Sequence, residues 1–218
     1  EGSHSFLERP RAVSPSRAGL VALGGCEYGQ LAGRYKPLPA SQSEAMMIHD
    51  QYAHAKSHNS GINSLLTETE ATKSQLLKSL PKADTLHLAT HGRFGKSFHV
   101  DSFGLPEPDS MFDSYLVLAE ESEQSQISEQ VLTAAEVSLL DLSGVNLVTL
   151  SACQTGLGRV SAGQGVQGLV RAFHQAGART VVSALWNVSD EATPKLMEEF
   201  YDALWKEGDL SPPDAMRV

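Results

Sequence analysis

The chain has 218 residues, 41% hydrophobic and 20% charged, a balance that describes a soluble globular protein and excludes disordered and fibrous classes. Its net charge of −9 argues against a nucleic-acid surface, because a phosphate backbone rewards concentrated Lys and Arg. With two cysteines and no apolar run of membrane-spanning length, a disulfide framework, a Cys-rich zinc site and a transmembrane helix are not expected.

Residues 1–17 are polar, contain Pro10 and Pro15, and lack the apolar core of a secretory leader. They read as an N-terminal extension, with a single domain expected over 18–218. Ala18–Leu23 is a short apolar run closed by Gly24-Gly25, a buried first strand. Residues 29–40 mix Gly, Pro and polar side chains and read as loop. A helix opens at Ser43-Glu44, with Ala45, Ile48 and Tyr52 at helical spacing. Residues 54–64 are polar and hold a turn. Thr67-Glu-Thr-Glu70 fits a capping box before a helix containing Leu76, Leu77 and Leu80, closed by Pro81. The strand Thr85-Leu-His-Leu-Ala-Thr90 then leads into His91-Gly92.

From Gly92 to Gln130 the pattern is least regular, with one strand at Ser114–Ala119 and a charged loop from Glu120. Thr133-Ala-Ala-Glu136 is a second capping box, opening a short helix through Leu140. Asn146-Leu-Val-Thr-Leu-Ser-Ala152 is a strand that runs into Cys153. A helix from Val166 sets Val166, Leu169, Val170 and Phe173 on one face and stops at Gly177. Thr180–Trp186 is the next strand, followed by a polar loop, Asn187–Asp190. The last strong helix has Pro194 in its first turn and is expected to bury Leu196, Met197, Phe200, Tyr201 and Leu204. A further helix start at Pro212 reads as cut off at Val218. Strands alternating with helices of this length predict a three-layer α/β fold: a mostly parallel sheet, helices on both faces and right-handed crossovers.

Reactive groups of an open parallel sheet gather outside the carboxyl ends of its strands. His91 and Cys153 each directly follow an apolar strand. If those strands are neighbours, an imidazole and a thiol share one crevice, as a cysteine nucleophile and its base must. Ser151, Ala152 and Gly156 are small and leave room for a substrate. Gly92 lets the backbone approach a ligand and can aim an N–H at a developing oxyanion. The bland reading of a Cys in an apolar run is core packing, and it is the one taken for Cys26. His87, inside its strand, reads as packed against a helix. His49, His54 and His58 read as solvated, with no carboxylate or Cys at ligand spacing, so no metal is expected. The glycines from Gly156 to Gly168 lack the Lys of a phosphate loop and read as a rim beside the nucleophile. No cofactor is implied.

These elements together resemble a known family. The His91-Gly92 pair after its strand, Leu150-Ser-Ala-Cys-Gln-Thr-Gly156, Gly163-Gln-Gly165, Ala172-Phe173, Val181-Val182, Leu185-Trp186, Val188-Ser-Asp190 and Phe200-Tyr201 are similar to the CHAT domain, related to caspases, separases and gingipains. Gln164 stands where that glycine loop commonly has Glu. The resemblance implies a cysteine endopeptidase of caspase-like fold, with Cys153 as nucleophile and His91 as base. It also implies an oxyanion hole from the backbone N–H groups of Gly92 and Cys153, and an imidazole oriented by a main-chain carbonyl. Ser151 replaces the Gln of the caspase Gln-Ala-Cys signature, so aspartate specificity is not expected. Asp190 matches a separase carboxylate that pairs with a P1 arginine; the other reading is a helix N-cap. Ala184, Leu185 and Trp186 would pair with extended substrate backbone. The implied partners are a protein or peptide substrate and tetratricopeptide repeats, with no nucleic acid and no membrane. A cytoplasmic, reducing location is expected, where a thiol stays reduced. A catalytically silent CHAT-like interaction module is the alternative.

Overall fold

In the computed structural model, residues 18–56, 61–93, 114–151, 166–183, 193–205 and 210–217 are described. The elements run β1 (Leu20–Cys26), α1 (Pro39–Ala55), β2 (Ser64–Glu68), α2 (Lys73–Ser79), β3 (Thr85–Ala89), β4 (Gly92–Arg93) and β5 (Tyr115–Val117). They continue as β6 (Val131–Thr133), α3 (Ala134–Ser138), β7 (Leu147–Leu150), α4 (Val166–Gln175), β8 (Thr180–Ser183), α5 (Thr193–Trp205) and α6 (Pro212–Ala215).

Five strands form a parallel sheet in the order β2-β1-β3-β7-β8. Side-chain alternation along its central strands divides the interior into two cores. From β1, Leu20 and Ala22 join Ala45 and Ile48 of α1 and Met197, Phe200 and Tyr201 of α5. Val21 and Leu23 face the other way, with Leu86 and Leu88 of β3, towards Leu76 of α2, Val137 of α3 and Leu169 and Phe173 of α4. Helices therefore cover both faces, as the alternating pattern predicts. The fold is caspase-like α/β. Beside it stands a small antiparallel sheet, β4-β5-β6, of which only β5 was expected, within Ser114–Ala119.

Several boundaries differ from expectation for identifiable reasons. Strand β1 continues through Gly24-Gly25 instead of ending there. A Cβ on Gly24 would lie 2.1 Å from the Ser41 carbonyl oxygen, so glycine lets α1 press directly on the strand. Pro39 sits in the first turn of α1, where its missing N–H costs nothing, and the helix begins there rather than at Ser43. The Thr67–Glu70 box is a correction: Thr67 belongs to β2, paired along β1, and the cap of α2 is Thr72. Its hydroxyl accepts from the Gln75 N–H at 3.3 Å. The Thr133–Glu136 box forms as expected, with both arms made: Glu136 N–H to Thr133 Oγ1, and Thr133 N–H to Glu136 Oε2. Gly177, at φ +109°, ends α4. Leu196, expected inside, is 44% exposed, because α5 turns Met197, Phe200 and Tyr201 to the sheet.

Candidate active site

The two strands that carry the candidate residues are hydrogen-bonded neighbours. β3 and β7 run parallel in register, ending on the pair Leu88–Leu150, and the Ser151 N–H extends the ladder to the Leu88 carbonyl at 3.0 Å. His91 stands three residues after that last pair, at the carboxyl edge of the sheet, and Ser151, two positions before Cys153 in the sequence, leaves β7 at the same edge. Ser151 is half-buried at that edge. Cys153 itself, and with it Ala184, Leu185, Trp186 and Asp190, lies outside the described residues.

His91 is 1% exposed, and its surroundings are defined in detail. Its Nε2 lies 2.7 Å from the Lys36 carbonyl oxygen. A carbonyl only accepts, so Nε2 carries the proton and, in the neutral ring, Nδ1 carries the basic lone pair. Two aromatic rings pack against the imidazole, Tyr28 with centroids 5.0 Å apart and Tyr35 at 5.3 Å, and against each other at 6.2 Å. Tyr28 is fixed in turn. The Thr90 hydroxyl donates to the Val117 carbonyl at 2.5 Å, which leaves its oxygen to accept from the Tyr28 hydroxyl at 3.1 Å. Tyr35 is held through its hydroxyl, 3.1 Å from that of Tyr115 in β5. Burial, and then the Tyr115 hydroxyl, push the Tyr35 phenol up to about 12, so it stays a neutral hydrogen-bonding group.

The main chain of His91 is anchored as well. Its carbonyl accepts the Val117 N–H at 2.9 Å. In an antiparallel ladder this makes Gly92–Leu116 a pair that exchanges no hydrogen bonds, so the Gly92 amide points away from β5. β4 is the edge strand of its sheet, and that amide is directed off the ladder.

Of the remaining candidates, Cys26 borders this cluster through Thr90 and Tyr28. Cys26, at the end of β1, is 4% exposed, and burial pushes its thiol up to about 11, the reverse of what a nucleophile needs. His87 points to the opposite core, between α1 and α5, as its place within the strand implied. His58 lies outside the described residues; His54 is exposed and His49 half-buried. Among the described residues no three His, Cys, Asp or Glu side chains gather as a metal site, and no helix is long and apolar enough to cross a membrane. Reasoning from sequence missed the segment 28–36 altogether. Its signal was two tyrosines inside a stretch of Gly and Pro, too slight to separate from loop composition.

A family model, the CHAT domain, matches residues 4–218. The chain belongs to the CHAT domain family. Among curated proteins, this CHAT domain is 32% identical over 201 residues to Tetratricopeptide repeat protein 28 of Mus musculus, covering 84% of the chain. It is 32% identical over 187 residues to Tetratricopeptide repeat protein 28 of Homo sapiens, covering 77% of the chain. It spans only 8% and 7% of the length of those two relatives.

Proposed function

We propose that this CHAT domain is a cysteine endopeptidase, with Cys153 as nucleophile and His91 as general base. The observation that carries the reading is the pairing of β3 with β7, which sends both chain segments out at one edge, with His91 held as the Nε2–H tautomer. In the proposed reaction His91 Nδ1 takes the thiol proton, and the thiolate attacks the scissile carbonyl carbon. The Gly92 and Cys153 amides stabilise the oxyanion. The imidazolium then returns its proton to the leaving amine, giving a thioester on Cys153. Water, deprotonated by His91, attacks the thioester and releases the acid product and the thiol. No metal or other cofactor enters these steps.

The proposed substrate is a protein or peptide with a basic P1 residue, paired by Asp190 and lying beside Ser151. Its extended backbone would add to Ala184, Leu185 and Trp186 as a further strand. Asp190 as an N-cap of α5 is the competing role. A second reading, a silent interaction module within a longer repeat protein, is favoured by the names of the two relatives and the small share of them that the domain spans.

A peptide library decides between them. The wild-type chain should cleave after Lys or Arg, and Cys153→Ala or His91→Ala should lower kcat by roughly 10⁴-fold or more while the fold survives. Full activity in Cys153→Ala would overturn the assignment. Cleavage only after Asp would remove the role given to Asp190. A wild-type chain that binds peptides but cleaves none would favour the silent module.

A further inference from the structure

The segment 28–36 touches His91 at three places: Lys36 by its carbonyl, Tyr28 and Tyr35 by their rings. The hydrogen bond at Nε2 fixes one point of the imidazole, and packing against the ring limits its swing about the Nε2···O line. The Tyr28 and Tyr35 rings supply that packing. Their planes are tilted 41° and 39° to the imidazole, and their own centroids lie 6.2 Å apart, so the three rings pack as one triangular cluster with both tyrosines against the imidazole.

Each ring is secured by its hydroxyl on the small antiparallel sheet. Tyr28 reaches it through Thr90 and the Val117 carbonyl, Tyr35 through Tyr115. Between them the chain closes a tight turn, with the Leu31 N–H on the Tyr28 carbonyl at 2.8 Å and the Tyr35 N–H on the Leu31 carbonyl at 2.9 Å. The turn thus sets the spacing of the two rings and, one residue later, the direction of the Lys36 carbonyl. The Arg34 guanidinium lies 5.8 Å from the centroid of the Tyr35 ring.

We propose that Tyr28 and Tyr35 are positioning residues, a clamp that holds His91 in one tautomer and one ring orientation, with Tyr115 as the anchor of the Tyr35 side. Its consequence for catalysis rests on the peptidase reading above. Its structural content does not. The clamp keeps Nδ1 aimed in one direction, so the base need not be reorganised at each turnover.

The test is made on the full chain with ¹⁵N-labelled histidine. Long-range imidazole spectra should show His91 as a single Nε2–H tautomer in the wild type. Tyr28→Leu and Tyr35→Leu should convert it to a tautomer mixture with a broadened signal. In the same variants kcat should fall about 10- to 100-fold with KM within about 2-fold, the pattern of a misplaced base. Tyr35→Phe and Tyr115→Phe break only the hydroxyl link and serve if the leucine variants fail to fold. They should give a smaller tautomer change, and Tyr35→Phe should recover most of the activity lost in Tyr35→Leu. A pure Nε2–H tautomer retained in every folded variant would overturn the clamp, whatever the activity. Tautomer loss in the variants of a chain that cleaves nothing would support the clamp and sink the peptidase reading instead.

Discussion

A buried thiol that keeps its proton is a poor nucleophile. Cys26 is buried at the end of β1, and burial holds its proton to about 11 against an ordinary value of 9.0. At pH 7.5 it carries almost no thiolate, and the thiolate is the species that alkylates. Iodoacetamide should therefore label Cys153 alone in the native chain, and both cysteines once the chain is denatured. Mass spectrometry of the digested product reads this directly; native labelling of Cys26 at the rate of Cys153 would contradict it. At this scale much was visible without coordinates. His91 stands out because Gly92 follows it at a strand exit, and Cys26 could be set aside because no His shares its local frame. What orients His91 could not be read, since the partner is a main-chain carbonyl, and every residue but proline offers the same N–H and C=O.

Helix α1 shows how an element recruits a residue that patterning assigns to solvent. Glu44 is 2% exposed, on the same face as Ala45 and Ile48, and its Oε1 lies 2.9 Å from His87 Nε2. The line from the ring to the carboxylate is too bent for a straight hydrogen bond. On the other side of the ring, the Tyr201 hydroxyl donates to Thr149 Oγ1 at 2.8 Å, so it must accept from His87 Nδ1–H at 3.2 Å. With that proton placed, Nε2 is the ring atom that faces the Glu44 carboxyl group. The four side chains join α1, β3, β7 and α5 across the interior. Removing one member of a buried pair leaves the other without compensation, so Glu44→Ala should cost about 3 kcal/mol. Glu44→Gln should cost less, because the amide keeps the volume of the side chain and a polar group facing Nε2. Urea unfolding midpoints at constant slope would measure both; equal losses would mean that the polar contact with His87 plays no part. Ala45, Ile48 and Tyr52 were legible from helical spacing, but Glu44 was not. Its burial depends on a histidine 43 residues away in sequence.

Over the whole molecule, buried acidic groups set an alkaline limit to stability. In the unfolded chain the Cys26 thiol ionises near 9.0, whereas the folded chain holds its proton to about 11. Between those values the unfolded state binds fewer protons, so stability must fall as pH rises through that window. The loss from this one group is on the order of 3 kcal/mol by pH 11. Tyr52 acts in the same sense one unit higher: burial, and then the Asp84 carboxylate, move its phenol from 10.0 to about 12. Burial raises Tyr201 as well. Unfolding midpoints should decline from pH 9 upward, and Cys26→Ala should flatten the first part of that decline; an unchanged slope in the variant would exclude the thiol as a cause.

The same scale separates what one dimension carries from what three decide. Alternation, helical spacing and the Thr133 box already determined an α/β chain with its strands, helices and two layers of core, because each signal lies within a few neighbouring residues. The resemblance in the motifs determined the family. Strand order was left to tertiary structure, as were the seating of β2 beside β1 and the small sheet that grips Val117 and Tyr115. β5 was expected within Ser114–Ala119, but the two-residue β4 and three-residue β6 hold too little pattern to announce themselves, and they form only where a partner supplies the ladder. The enclosure of His91 was decided there too. It joins Tyr28, Tyr35 and Lys36 to a strand more than fifty residues further along the chain, and only a folded sheet edge brings such distant groups within hydrogen-bonding reach.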